Sequence, residues 1–156
     1  MPRSDAPLRE HLSRALGWES AHLGLVDAVK GLPPRLRGRR PRGGSHSPWE
    51  LLEHIRLAQR DLLDFCRDPE YVEGDWPAAY WPDSPAPPSS RAWKKSLDAI
   101  ANDRQAFKEF VETTPDLFAE IPGHKGKTLL RSVLLAIDHT SYHVGQLLMA
   151  RKLLGR

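Results

Sequence analysis

Residues 138–146 read Asp-His-Thr-Ser-Tyr-His-Val-Gly-Gln and lie within the last long proline-free segment, Thr128–Leu154. His139 and His143 in this stretch are four residues apart. On a helix their side chains project side by side, because positions i and i+4 lie one turn above each other. Two imidazoles in this arrangement are half of a metal site. The stretch therefore predicts a helix that offers two ligands, and a third ligand has to come from elsewhere in the chain.

The distribution of proline divides the rest of the chain into further helices. The 14 prolines cluster at 33–48, 69–88 and 115–122, and leave long segments with few helix breakers. Apolar residues recur in these segments at three- and four-residue steps, which is typical of amphipathic helices. The sequence therefore predicts one all-α domain over 1–156, a four-helix bundle with a long connection between its second and third helices. The predicted helices are Asp5–Lys30, Pro48–Arg67, Ser90–Thr113 and Thr128–Leu154.

Composition narrows the class of protein. A length of 156 residues fits one domain with a core of its own, and a net charge of +3 gives no general case for nucleic-acid binding. The single cysteine, Cys66, excludes an internal disulfide and favours the cytoplasm. No apolar run reaches the roughly 20 residues of a membrane-spanning helix. Five arginines in the loop at 31–46 are interpreted as solvated, or as a guide for an anionic substrate: Arg35, Arg37, Arg39, Arg40 and Arg42.

The second helix has a clear start and carries a further histidine. Ser47, Pro48 and Glu50 form the pattern of a capping box with proline at the first helical position. At about 100° per residue, His54 shares an apolar face with Ala58 and Phe65. A histidine in such a place is most often an ordinary core residue. It becomes the third ligand if this face meets that of His139 and His143.

Three imidazoles would leave one or more coordination positions open for water or substrate. Imidazole suits zinc, nickel, copper and iron alike, so the ligand set does not select the metal. Asp61 and Glu50 are candidates for a group that orients a ligand or acts as general base, and Gln146 for one that holds water or orients a histidine. Thr140 stands where a zinc protease of the HExxH type needs glutamate, which excludes that class. The alternatives are a non-catalytic protein in which the metal stabilises the bundle or senses a ligand, and three unrelated core histidines.

The connection 68–90 is rich in aromatic residues. Loops of this length are uncommon in compact domains and usually act as lids or binding loops. The aromatic side chains are expected to cover the end of the core, to form the wall of a ligand pocket, or both. The residues concerned are Tyr71, Trp76, Tyr80 and Trp81.

The last helix is apolar on both sides. The side opposite the histidines is expected to face a second copy of the chain, because a helix with two apolar faces is buried on both. The sequence therefore predicts a homodimer through this helix. The residues of that side are Leu130, Leu134, Ile137, Val144 and Leu148.

Two segments resemble the DinB/YfiT-like superfamily. Residues 139–146 resemble its HxxxHxGQ signature, and Ser47–His54 resembles the segment that carries its first metal histidine. The resemblance also covers the order of the histidines and the long second connection. It implies a DinB-like four-helix bundle, commonly dimeric, with a divalent metal, nickel or zinc, held by His54, His139 and His143.

Characterised members of that superfamily include thiol S-transferases and thiol-dependent isomerases. The resemblance therefore implies a metal-dependent enzyme that activates a low-molecular-weight thiol, in the manner of an S-transferase, or water, in the manner of a hydrolase. A non-catalytic metal- or ligand-binding protein of the stress response is the alternative. A small-molecule substrate is expected, and neither a nucleic-acid nor a membrane partner is.

Overall fold

The computed structural model describes residues 5–17 and 21–155. Six α-helices and one 3-10 turn, Ala78–Tyr80, are present in these ranges. The long helices α4, α5 and α6 have bounds within one residue of those predicted, and the described residues form the all-α bundle expected from the sequence. The helices are α1 (Ala6–Leu16), α2 (Leu25–Val29), α3 (Pro34–Arg37), α4 (Pro48–Arg67), α5 (Ser90–Thr113) and α6 (Leu129–Leu153).

Helix α4 lies at the centre of the bundle and packs against both α5 and α6. Its start is the predicted capping box: Ser47 Oγ accepts from the Glu50 backbone N–H at 3.1 Å, and the Glu50 carboxylate accepts from the Ser47 N–H at 2.7 Å. The same carboxylate also pairs with Arg40. Glu50 is thus committed to the start of the helix, which removes it as a candidate base beside His54.

The first predicted helix is wrong as a single element. Helix α1 ends at Leu16, and α2 begins at Leu25 after Gly24, whose backbone is extended (φ −74°, ψ 169°). The apolar pattern continues across the break, but Gly17 and Gly24 lower helix stability by up to about 1 kcal/mol each relative to alanine. Separate short helices can therefore turn their apolar sides toward different parts of the bundle, since α1 packs on α5 and α6 while α2 packs on α6.

The arginine-rich loop is only partly solvated. It contains α3, whose Leu36 is buried, and its Arg37 guanidinium lies over the Trp93 ring at 4.8 Å. Arg40 pairs with Glu50 as described above. The prediction of a free loop was wrong for these two arginines, whereas Arg35, Arg39 and Arg42 are exposed.

Two apolar clusters fill the bundle, and the histidine stretch of α6 lies between them. Ala136 belongs to one cluster and Val144 to the other. His139 and His143 therefore occupy the middle of the helix at the junction of the two clusters. Packing on both sides fixes the backbone that carries them, because close-packed interiors resist displacement.

The back of α6 is covered within the chain, contrary to the prediction that it faces a partner. Val144 is buried, and Leu130, Ile137 and Leu148 pack against the two clusters. Only Leu134 of that side is strongly exposed, at 51%. The argument for a dimer through this face therefore fails. Exposed apolar residues lie on another side of the helix: Leu135, Tyr142, Met149 and Leu153.

The polar side of α5 holds one buried charge. Asp103 is 2% exposed, and its carboxylate pairs with Arg60 of α4. The ion pair joins the two helices. A buried carboxylate is costly unless it is paired, and Arg60 on the neighbouring helix provides the counter-charge.

Candidate metal centre

Three histidines from two helices converge inside the bundle. One ring nitrogen from each of His54, His139 and His143 can be chosen so that all three lie within 4.8 Å of one another. The Nε2 atoms of His54 and His139 are 3.1 Å apart. His54 and His143 are buried, with 2% and 7% exposure. The crossing of α4 and α6 thus brings together the three residues that the sequence singled out.

Hydrogen bonds set which nitrogen faces the centre. His54 Nδ1 lies 2.7 Å from the Tyr80 carbonyl oxygen, and His143 Nδ1 lies 2.7 Å from Gln146 Oε1. Both oxygens accept, so each Nδ1 carries the proton and each Nε2 keeps its lone pair. This is the arrangement in which outer partners orient imidazoles for a metal. The donor set therefore fits a divalent cation.

Burial keeps these imidazoles neutral. Burial, followed by the neighbouring His143 and His54, lowers the pKa of His139 to about 3. Burial also lowers the pKa of His143 to about 4, although the hydrogen bond with Gln146 opposes the shift. The pKa of His54 is lowered by burial as well. Because metals bind the neutral ring, the site is ready to accept a cation at pH 7 without first losing protons.

Aromatic rings from the connection 68–90 cover His54. The Trp81 ring stacks on it with centroids 4.0 Å apart and an interplanar angle of 2°. Trp76 approaches the same imidazole at 6.4 Å. His46 stacks on Trp81 at 4.1 Å, a contact that the sequence analysis missed because no local pattern marks it. The loop thus limits the motion of His54 and shields it from water.

Asp61 fastens this loop to α4. Its Oδ1 accepts hydrogen bonds from the hydroxyls of Tyr71 and Tyr80, each at 2.7 Å. Burial and the carboxylate raise the pKa of Tyr80 to about 12 and shift that of Tyr71 in the same direction. Both phenols therefore remain donors. Since the Tyr80 carbonyl holds His54, the carboxylate is linked to the histidine cluster through the loop.

We predict that Asp61→Asn loosens this loop without unfolding the bundle. The change removes the negative charge that strengthens two hydrogen bonds, and we expect a loss of about 1 to 3 kcal/mol in the free energy of unfolding. Hydrogen exchange of residues 70–81 should accelerate. Asp64→Asn, one turn along α4 and paired only loosely with Arg60 at 3.7 Å, is the control and should change little. Equal exchange rates in both variants would contradict this role for Asp61.

A pocket of about 280 Å³ opens beside His139. Trp76 and Tyr80 line it, whereas Trp81 stacks on His54 and does not line it. Asp61 and Arg131 contribute charged groups to the same wall. The open space next to the histidine cluster is of the size that a small ligand needs.

The remaining histidines and the cysteine lie outside the cluster. His22 is exposed and contacts Ser141 Oγ at 3.1 Å. The ring of His124 packs against that of Phe65 at an interplanar angle of 33°, with ring centroids 3.9 Å apart. Burial raises the pKa of the Cys66 thiol, which makes it a poor ligand. None of these residues belongs to the group that could hold a metal ion.

The family model of the DinB superfamily matches residues 16–147. This match covers most of the sequence and all three histidines, and the chain therefore belongs to the DinB superfamily. Comparisons with curated proteins and with solved structures gave no match. No helix in the described ranges is long and apolar enough to cross a membrane.

Proposed function

We propose that this protein is a metal-dependent enzyme in which His54, His139 and His143 hold one divalent cation, zinc or nickel. The observation that carries the proposal is the convergence of three neutral imidazoles, two buried and one partly buried, next to an open pocket. A divalent ion held by these three histidines would lower the pKa of a thiol or a water molecule bound to it. Residues of the chain then determine which molecule reaches that position.

We propose an S-transferase reaction with a low-molecular-weight thiol. The thiol proton passes to solvent, the sulfur attacks an electrophilic carbon, and the new C–S bond displaces a leaving group that departs with its electron pair. The Tyr80 carbonyl and Gln146 keep two of the histidines oriented. Trp76, Tyr80 and Trp81 shield the reacting atoms and provide apolar contact area. The role of Asp61 in this scheme is to hold the loop in place.

The test uses protein purified without an affinity tag, stripped of metal by a chelator and reloaded with zinc or nickel. We expect consumption of 1-chloro-2,4-dinitrobenzene that requires both the metal and a thiol, and that persists in His124→Ala. Hydrolysis of esters without a thiol would favour the water-activating version. Tight metal binding with neither reaction would favour a non-catalytic metal- or ligand-binding protein.

We also propose that the protein is a homodimer through the exposed apolar side of α6. Its members recur along one side of the helix, and the space above Gly145 is open, so that a second backbone can approach. Met149→Glu combined with Leu153→Glu should convert a dimer into a monomer in sedimentation experiments. Val26→Glu, an exposed apolar position on α2, serves as the control. A wild-type protein that sediments as a monomer at tens of micromolar would contradict the proposal.

The cellular setting and the partners are proposed on simpler grounds. A lone, half-buried Cys66 fits the reducing cytoplasm. We propose a small molecule as the substrate and no nucleic-acid partner, because the charge excess is small and two of the clustered arginines contact the protein itself.

A further inference from the structure

The pocket beside His139 contains charges of both signs. Asp61 and Glu73 place carboxylates on its wall, and Arg131 places a guanidinium there. Its volume of about 280 Å³ is at the lower end for ligand pockets, which indicates a small molecule. This pocket is complementary to a ligand that carries charges of both signs. Because the positive and negative groups of the pocket lie at different places, they also determine the orientation of such a ligand.

The two carboxylates have unused acceptor capacity. Asp61 receives both phenol hydroxyls on Oδ1, and no hydrogen bond reaches its Oδ2 from the part of the chain that the structure describes. Glu73 likewise accepts no hydrogen bond and forms no ion pair within residues 5–17 and 21–155. An ionised carboxylate only accepts, and an ammonium group has three donors and no acceptor. A primary ammonium therefore matches this part of the wall.

Arg131 is the cationic counterpart. It lies in the first turn of α6 and is exposed, and its side chain forms no ion pair with any described residue. A guanidinium presents paired N–H donors that match a carboxylate in a two-point contact. A ligand with a carboxylate alone leaves Asp61 and Glu73 without a counter-charge, and one with an ammonium alone leaves Arg131 without one. A ligand that carries both groups satisfies the whole wall.

The same wall carries apolar side chains and one of the histidines. Trp76 is 71% exposed, and its ring lies 5.2 Å from that of Tyr80. Leu135 and Phe65 also line the pocket, together with His139. The carbon atoms of a small ligand can lie against these side chains while its charged groups face the charges. Because His139 lines the same pocket, a further group on such a ligand can face the histidine cluster.

We propose that this pocket binds the α-amino acid group of a small thiol, with the ammonium between Asp61 and Glu73 and the carboxylate on Arg131. The inference rests on the proposed function, because it places the sulfur of that thiol at the histidine cluster. It assigns a substrate class, a thiol with an amino acid group of the cysteine type, and it makes Glu73 and Arg131 specificity-determining residues.

Four thiols of similar reach test the proposal. L-Cysteine carries both charged groups, cysteamine only the ammonium, 3-mercaptopropionate only the carboxylate and 2-mercaptoethanol neither. Their dissociation constants are measured by calorimetry on the zinc-loaded protein. Cysteine should bind tightest and 2-mercaptoethanol weakest, with each group contributing about three- to tenfold, because exposed charge pairs are partly screened by water.

Matched variants distinguish binding of the charged groups in the pocket from chelation of the metal by the amine of the ligand. Arg131→Gln should weaken cysteine and 3-mercaptopropionate by about three- to tenfold and leave cysteamine unchanged. Glu73→Gln should weaken cysteine and cysteamine and leave 3-mercaptopropionate unchanged. Lys152→Gln on α6 and Glu70→Gln in the same loop are exposed controls outside the pocket, and should have no effect. The proposal would be overturned if Arg131→Gln and Glu73→Gln lowered the affinity for all four thiols equally, whichever charged groups the thiol carries.

A metal-free arm distinguishes this inference from the proposed function. L-Serine replaces the sulfur of cysteine by oxygen and is titrated into the metal-free protein, with the indole N–H resonance of Trp76 as the readout. A resonance shift in the wild type that disappears in Arg131→Gln supports binding of the amino acid group in the pocket. If the same protein binds no zinc, the proposed metal-dependent function fails and the proposed binding in the pocket does not. No shift in the wild type, together with equal binding of the four thiols, would overturn the pocket while leaving the metal centre intact.

Discussion

Replacing His139 by alanine should lower the affinity for zinc or nickel by more than about 100-fold. Loss of an outer partner that only orients a ligand typically costs 10- to 100-fold, and loss of the ligand itself should cost more. His139 is also the histidine of the cluster that lines the pocket. Thiol-dependent activity should therefore disappear together with the metal. Calorimetric titration of the metal-free variant measures the first effect, and the assay with the electrophile measures the second.

The matched control is His124→Ala, which removes an imidazole from the same protein at a position outside the cluster. It should retain the wild-type metal affinity and activity. The variant His139→Ala also removes a partly buried ring, so its unfolding free energy is measured in parallel. A folded His139→Ala protein that binds zinc within threefold of the wild type would show that the histidines do not act as ligands.

Acid should destabilise the metal-free protein at a pH where most carboxylates are still ionised. In the folded protein the pKa of His139 is about 3 and that of His143 about 4, both below the ordinary value of 6.5. As the pH falls from 7 toward these values, the unfolded chain binds protons at both histidines and the folded chain does not. The free energy of unfolding must therefore fall with pH in this window.

We expect a loss of roughly 2 to 4 kcal/mol between pH 7 and pH 5, because each unit of pKa difference is worth about 1.4 kcal/mol and the two rings interact. Urea unfolding at pH 7, 6 and 5 measures it. The double variant His139→Gln with His143→Gln should show a much flatter dependence, since glutamine does not titrate. Parallel pH profiles for both proteins would contradict the assigned protonation states. Saturating zinc should protect the wild type and not the variant.

The features predicted correctly from the sequence are those that depend on local spacing. The capping box of Ser47 and Glu50 involves residues three positions apart, and the pairing of His139 with His143 needs only one helical turn. The orientation of His54 followed from the apolar side of α4, because that side must face the neighbouring helices. These patterns placed the three histidines on facing helices before any tertiary contact was considered.

The features that the sequence did not predict depend on contacts between distant segments. The apolar pattern across Gly17 and Gly24 is the same for one helix as for two short ones, and only packing decides between them. The back of α6 is apolar in either case, and no pattern tells whether α1 and α2 or a second chain covers it. Asp61 shares a side of α4 with His54, but its partners Tyr71 and Tyr80 come from an irregular loop. Its role in holding that loop could not be read from helical periodicity.

The most direct test of the central claim is the X-ray absorption spectrum of the protein loaded with one equivalent of zinc. The proposed site predicts three imidazole nitrogens at about 2.0 to 2.1 Å, with the outer-ring scattering typical of histidine, and one or two lighter ligands from solvent. The His139→Ala protein should lose one of these imidazoles or fail to retain zinc. A spectrum without imidazole scattering, or one identical in the variant, would contradict a metal centre at His54, His139 and His143.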